Sequence, residues 1–274
     1  MPNEEQIEYW NEDAGRQWAA HQTALDAMLA SATSALMEAA AVQSGERVLD
    51  IGCGTGQTSL IASEQGAKVT GVDVSRPMLD LARSRGGENV QFFLEDAAQF
   101  QSDQKYDLVM SRFGVMFFED PLAAFKNIRT NLKPGGRMVF VCWQSPKTNL
   151  WVMVPMGALK PLLPEAPETD PHDPGPFAFA DPERLEGILR DAGFGEIAIA
   201  PQALEVCLAQ SGGIDEAVRF SSRIGPASRA LKEADEALHP KLLAALKDAL
   251  APHDKDGRVA LPGGIWVVTA KAAG

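Results

Sequence analysis

From Glu4 to about Val42 the apolar positions recur at helical spacing. Ile7, Trp10 and Ala14 share one face, and Trp18, Leu25, Met28, Leu29, Leu36 and Met37 continue the stripe at steps of three, four or seven. Asn11 and Gly15 predict interruptions, so residues 1–42 read as an N-terminal helical cap of two or three helices. Five short apolar runs follow at 47–51, 68–72, 90–94, 107–111 and 137–143, each beside a helical pattern. Strands alternating with helices predict parallel pairing through crossover helices, and runs apolar on both faces predict a sheet covered on both sides.

Helix boundaries agree with this division. Ser75 is placed as an N-cap with Pro77 in the first turn, and Asp120-Pro121 opens a helix with Leu122, Phe125, Ile128 and Leu132 on one face. Lys133-Pro134-Gly135-Gly136 closes that helix and turns into the fifth strand. Between Pro146 and Pro176 eight prolines are mixed with Trp151, Met153 and Met156. This stretch is too apolar for a disordered linker and too broken for regular structure, so about 145–180 reads as an ordered loop insertion. A helix capped by Asp181 follows, then strands at 196–200 and 264–270. The helical pattern between them, an insertion of about 205–258 within a core of 43–274, is not needed to complete a sheet. It is a candidate lid or oligomer surface, a homodimer being one assembly it would serve.

Composition narrows the class. A formal net charge of −12 argues against an extended nucleic-acid footprint, which needs clustered Lys and Arg to neutralise phosphates. Arg83 and Arg85 come nearest to such a cluster and are expected on a solvated helix face. No apolar run approaches the ~20 residues of a membrane helix. The acidic N-terminus lacks the basic flank and apolar core of a signal peptide, which predicts a cytoplasmic protein. Cys53, Cys142 and Cys207 match no zinc spacing and are expected as structural thiols.

The chemistry is concentrated after three strands. Arg47-Val48-Leu49-Asp50-Ile51 feeds Gly52-Cys53-Gly54-Thr55-Gly56, a turn where backbone must approach a ligand closely. Gln57 stands where a dinucleotide fingerprint places its third glycine, and no Gly-Lys-Ser/Thr ending cradles a phosphate. Asp73 closes the second strand at the carboxyl edge of the sheet, where a carboxylate can accept both hydroxyls of a ribose. Asp96 stands at the same edge after the third strand, in reach of an exocyclic amine.

Together these residues resemble the class I S-adenosylmethionine-dependent methyltransferases of small-molecule type, with a core like the ubiquinone and menaquinone methyltransferases. The resemblance runs from Val48 to Trp143 through the Asp50–Gly56 loop, Asp73, Asp96, the fourth strand Tyr106–Ser111 and Leu132-Lys133-Pro134-Gly135-Gly136. It implies a Rossmann-like α/β fold: a seven-stranded, mostly parallel sheet with an antiparallel last strand and helices on both faces. It implies S-adenosyl-L-methionine as cofactor, S-adenosyl-L-homocysteine as product, and no metal. On it, Asp50, Gly52, Cys53, Gly54 and Gly56 would line the methionine moiety and Asp73 would hold the ribose. Val74 and Met78 would flank the adenine, with Asp96 and Ala97 at its amine edge. Ser111 and Phe113 would follow the fourth strand beside the sulfonium, and Trp10 and Trp18 would cover the cofactor.

No Asn-Pro-Pro-Tyr-like tetrapeptide follows the fourth strand, where Ser111-Arg112-Phe113-Gly114 stands instead, which lowers the odds of a nucleic-acid or protein nitrogen as acceptor. The expected acceptor is a small apolar or aromatic molecule above the carboxyl edge, near Phe113, Met116, Phe117, Phe118, Trp143, Trp151 and Met153. His21 is the candidate base or acceptor-orienting residue, with Glu119 and Asp13 behind it. Two other functions remain open from sequence: a non-catalytic module that binds the cofactor or its product, and an NAD-dependent oxidoreductase, which Gln57 and Asp96 disfavour.

Overall fold

The computed structural model describes residues 3–164 and 170–272. The Rossmann-like core forms as its alternating pattern requires. Strand β1 (Arg47–Ile51) leads through helix α5 (Gln57–Glu64) to β2 (Lys68–Asp73), and α6 (Arg76–Arg85) leads on to β3 (Val90–Leu94). Then come β4 (Tyr106–Arg112), α7 (Pro121–Asn131) and β5 (Leu132–Trp143). All neighbouring pairs among these five strands are parallel. The sheet order is β3-β2-β1-β4-β5 and then the two late strands: β8 (Arg258–Ala272) against β5, and β6 (Phe194–Ala209) on the outer edge. Strand β8 runs antiparallel to both its neighbours, Trp143 facing Ile265 on one side and Phe194 facing Ala272 on the other. A two-residue strand β7 (Asp254–Lys255) pairs with the start of β8.

Among the described residues four helices, not two or three, precede the sheet: α1 (Glu4–Asn11), α2 (Asp13–Ala20), α3 (Gln22–Met28) and α4 (Ala30–Ala40). The first break falls at Glu12, and Gly15 lies inside α2. A β-carbon at Gly15 would stand 2.0 Å from the Trp10 carbonyl oxygen and 2.6 Å from Ser75 Oγ, so its glycine permits close packing instead of ending a helix. Helix α4 buries Ala32, Ala35, Leu36 and Ala40 against the sheet. Arg137 of β5 holds its end, donating to the Ala40 carbonyl at 2.8 Å while pairing with Glu46 at 2.6 Å. The last helix expected in the cap is therefore part of the sheet's cover.

The proline-rich segment contains a helix, α8 (Leu150–Leu159), with Pro155 inside it. Its residues are apolar all round, so it carries no amphipathic stripe to read. Positions 165–169 of the expected insertion lie outside the described residues. Helix α9 (Pro182–Asp191) is capped as expected by Asp181, which accepts from the Glu183 and Arg184 amides. Strands β6 and β8 are much longer than 196–200 and 264–270. Their extensions pair Glu205 with Pro262 and Cys207 with Ala260, so the helical insertion begins later than 205. It comprises α10 (Gly213–Ser221), α11 (Pro226–Glu233) and α12 (His239–Leu250). No described helix is long and apolar enough to cross a membrane.

Candidate functional site

At the carboxyl end of β1 the chain turns through Gly52, Gly54 and Gly56, all at positive φ (62°, 55° and 84°). The amides of Gly52 and Cys53 both donate to the Val72 carbonyl, at 2.9 and 3.2 Å, which ties the turn to β2. Behind it Asp50 is fully buried. Its Oδ2 accepts from Thr58 Oγ1 and Ser59 Oγ, each at 2.6 Å, while Oδ1 has no hydrogen-bond partner. Burial pushes the carboxyl up to about 6 against the opposing pull of Ser59, Thr58 and Arg112. A buried carboxylate oxygen without a donor is costly, and it fits a cationic group entering from the loop side. The raised value has a measurable consequence. Native Asp50 binds a proton more tightly than the unfolded chain does, so its contribution to stability is present at low pH and is lost as pH rises through about 6. Urea titrations of the ligand-free protein between pH 4 and 7 are expected to lose about 2–3 kcal/mol relative to Asp50→Asn. Parallel pH profiles for the two proteins would contradict this.

Asp73 lies at the end of β2, also buried, with its carboxyl pushed up by burial and drawn back by backbone hydrogen bonds from Ser75 and Gly54. Oδ2 accepts from the Gly54 amide at 2.7 Å and Oδ1 from the Ser75 amide at 2.8 Å. A carboxylate has about four lone-pair sites, so each oxygen keeps acceptor capacity for one hydroxyl of a vicinal diol. Ser75 precedes α6, but its hydroxyl donates to the Trp10 carbonyl at 2.7 Å and does not cap the helix. Val74 accepts from Asn11 Nδ2 at 2.8 Å. Met78 is buried on the first turn of α6, its sulfur 3.7 Å from where a β-carbon on Gly54 would sit.

The third acidic residue already holds an amide. Asn3 Nδ2 is 3.1 Å from each oxygen of Asp96, and the Ala98 amide donates to Oδ1 at 2.9 Å. Asn3 is fixed by Glu119 in turn: its amide donates to Glu119 Oε2 and its Oδ1 accepts from the Glu119 amide, both at 2.8 Å. Asp96 thus binds an NH2 group of the kind adenine carries, supplied by the chain's own N-terminal segment. Ala97 beside it is buried, its carbonyl accepting from Asn127 at 3.2 Å. Nothing in the local pattern around Asn3 foreshadowed this contact.

Near the end of β4, which runs on through Ser111 and Arg112, the buried Ser111 hydroxyl donates to the Ile51 carbonyl at 2.7 Å and accepts from the Gly114 amide at 3.1 Å, joining the β1 and β4 turns. Phe113 has φ 67°, a strained conformation for a bulky residue. Its ring stacks on Trp143 at 4.4 Å, and Trp143 meets Trp151 at 4.9 Å. Trp10 packs edge-on against both Trp18 at 5.6 Å and Phe117 at 5.4 Å, although a helix break separates α1 from α2.

His21, the candidate base, makes a contact through each ring nitrogen. Nδ1 is 2.9 Å from the Gln17 carbonyl, so it donates there, and Nε2 lies 3.2 Å from Arg223 Nη1, from which it accepts. Both ring nitrogens are engaged, and the ring bridges the cap to the insertion. Asp13 makes a second bridge, pairing with Lys232, whose hydrogen bond holds its carboxyl below the usual range. Arg85, expected on a solvated face, turns inward: it donates to the Thr55 carbonyl at 2.8 Å and to Gln57 Oε1. Thr55 lies on the glycine turn and Gln57 opens α5, so Arg85 ties the last turn of α6 to both. Among the described residues no group of three or more His, Cys, Asp or Glu is placed to hold a metal ion.

An open α/β sheet with acidic residues closing adjacent strands beside a glycine turn defines a nucleoside-binding enzyme core. Comparison with known proteins gives the family. A methyltransferase-domain model matches residues 48–136. The demethylmenaquinone methyltransferase of Staphylococcus epidermidis is 31% identical over 172 residues, covering 58% of this chain and 71% of that protein. Among solved structures, YcgJ of Bacillus subtilis aligns with a TM-score of 0.58 at 17% identity, covering 89% of this chain and 99% of that one. Phosphoethanolamine N-methyltransferase 2 of Haemonchus contortus, solved with phosphomonomethylethanolamine and S-adenosylhomocysteine, aligns at 0.56 and 18% identity over 93% of this chain and 58% of its own. The chain belongs to the class I S-adenosylmethionine-dependent methyltransferases, and its cofactor is S-adenosylmethionine.

Proposed function

We propose that this methyltransferase acts on a small apolar or aromatic acceptor, held between the N-terminal helices, the loop after β4 and the helical insertion. The observation that carries the reading is the ring series Phe113–Trp143–Trp151. It begins one residue from Gly114, whose backbone touches the glycine turn, and ends at a cavity of about 10 Å³ lined by Met28, Trp151, Val152, Pro155, Phe220 and Ile224 among others. The cavity has room for about one water, so a flat apolar acceptor would stack on these rings only as the helices of the insertion part from Trp151, with few polar groups to fix it. The relative in Staphylococcus epidermidis is named for a quinone-type acceptor, which agrees in chemical class.

On this reading the cofactor's residues divide the work. Asp50 Oδ1 takes the methionine ammonium, Asp73 the ribose hydroxyls and Asp96 the adenine amine, once Asn3 has yielded its place. Met78 and Val74 lie against the base, and Ser111 holds the β1 and β4 turns at the spacing the cofactor needs. The bound cofactor supplies an electrophilic methyl group. The protein supplies orientation, which for well-aligned reactions is worth effective molarities of roughly 10⁵–10⁸ M, and a site from which water is excluded. His21 is assigned to bridging the cap and the insertion, so deprotonation of the acceptor is left to its own acidity or to a residue near the ring series.

The test is transfer of labelled methyl from S-adenosylmethionine to a panel of phenols, quinols, aromatic amines and polar aliphatic amines. Methylation confined to the aromatic members is expected. Trp151→Ala should raise KM for the best acceptor about tenfold, as the loss of one stacked ring implies, with S-adenosylhomocysteine affinity unchanged. Turnover only on polar aliphatic members would end the reading.

A further inference from the structure

One buried charge cluster, Arg112 with Asp26 and Arg85, has no task in the reading above. Arg112 is the last residue of β4. In the register of the parallel pair Asp50 faces Met110, and Arg112, two residues further, projects to the same face of the sheet. Its side chain is 12% exposed. Nη1 donates to Thr33 Oγ1 at 2.7 Å, while Nη2 only faces Asp26 Oδ1 at 3.7 Å, too long for a hydrogen bond. The other oxygen of Asp26 stands 3.6 Å from Arg85 Nη2. A carboxylate from α3, whose Oδ2 accepts from Gln22 Nε2, thus lies between two guanidiniums and satisfies neither bidentately, although this pairing is where arginine binds most strongly. Meanwhile Asp50 Oδ1, on the same face one strand away, is buried without a donor. Burial raises the Asp50 carboxyl and lowers the Arg112 guanidinium, and each group's charge offsets part of the other's shift.

A half-satisfied guanidinium beside a half-satisfied carboxylate is complementary to a zwitterion. We propose that Arg112 and Asp50 form a clamp for the α-amino-acid end of the cofactor. Arg112 takes the α-carboxylate and Asp50 the α-ammonium. Asp26 is the internal counter-ion that holds Arg112 in place until a better carboxylate arrives. The proposal rests on the methionine moiety lying along the Gly52–Gly56 turn, and it makes Arg112 the residue that distinguishes S-adenosylmethionine and S-adenosylhomocysteine from nucleosides lacking the amino acid.

Calorimetry with two ligands separates this from a structural role. S-adenosylhomocysteine carries the zwitterion, whereas 5′-deoxy-5′-methylthioadenosine has the same nucleoside and thioether without it. Arg112→Met is expected to weaken S-adenosylhomocysteine about 10–100-fold, the cost of a lost charged hydrogen-bond pair, and to leave methylthioadenosine within about threefold. Arg112→Lys should recover part of the loss, and it carries the test if Arg112→Met does not fold. Unchanged S-adenosylhomocysteine binding, or equal weakening of both ligands, overturns the proposal. If the wild-type protein binds methylthioadenosine but gains nothing from the amino acid, the placement of the methionine moiety along the turn is what fails.

Discussion

Gly52→Ala is expected to destabilise the protein by about 3 kcal/mol and to abolish cofactor binding with it. Two costs combine. Gly52 sits at φ 62°, where an L-residue pays about 1–2 kcal/mol. In addition, a β-carbon there would lie 2.6 Å from Gly114 Cα, a clash with backbone that cannot rotate away and that overpacking data put at about 1–3 kcal/mol. The reverse substitution meets the same wall, since a β-carbon on Gly114 would be 2.7 Å from the Ile51 carbonyl oxygen and 2.8 Å from Gly52 Cα. Ser111 fixes this approach through its bonds to Ile51 and Gly114. Because both glycines report one contact, Gly52→Ala and Gly114→Ala should be strongly non-additive in urea denaturation. A Gly52→Ala protein as stable as wild type would mean that the two turns can part freely.

That contact explains why some of the site was legible in the sequence and some was not. The glycine turn, Asp50, Asp73 and Asp96 are local punctuation: each ends a short apolar run, and strand alternation alone places all of them on one edge. The fold followed from the same alternation. Arg112 ends the fourth strand, but its partners Thr33 and Asp26 come from α4 and α3, and no spacing within β4 announces them. Asn3 meets Asp96 and Glu119 across more than ninety residues, a pairing that only the folded cap creates. Arg85 is the opposite case, because a basic residue ending a helix ordinarily faces water, and here the Thr55 carbonyl on the glycine turn and Gln57 at the start of α5 draw it in. Helix α8 was hidden by its own composition, apolar on every side and punctuated by Pro155. Strands β6 and β8 were under-read because residues beyond the sheet proper, such as Glu205 and Pro262, pair without an alternating pattern.

The same logic bears on how the site is held before it is filled. Asp73 accepts from the Gly54 and Ser75 amides, while Asp96 is provisionally occupied by Asn3 and the Arg112 guanidinium by Thr33 with Asp26 nearby. Asp50 is the exception, keeping one oxygen unsatisfied. Three of the temporary partners, Asn3, Asp26 and Thr33, lie on the N-terminal helices. The cap is thus tied to the carboxyl edge through groups a cofactor could replace, and Asp13 with Lys232 and His21 with Arg223 bridge it to the insertion.

Asp73 carries the second large effect. A carboxylate that accepts two ribose hydroxyls makes two charge-assisted hydrogen bonds, each worth about 1.5–3 kcal/mol, so Asp73→Ala should weaken S-adenosylhomocysteine by more than about 100-fold in calorimetry. The substitution also removes the acceptor for Gly54 N, which would loosen the turn. Asp73→Asn separates the two contributions. Its amide oxygen can keep one backbone donor and the side chain keeps its volume, but the charge is gone and the NH2 group repels any N–H or O–H directed at it. If the ribose contacts dominate, Asp73→Asn should lose nearly as much affinity as Asp73→Ala. If the turn's anchorage dominates, it should lie near wild type. The first ordering is expected, because the Gly52 and Cys53 amides bonded to the Val72 carbonyl hold the turn independently of Asp73. Full affinity in Asp73→Ala would remove the ribose from this edge of the sheet altogether.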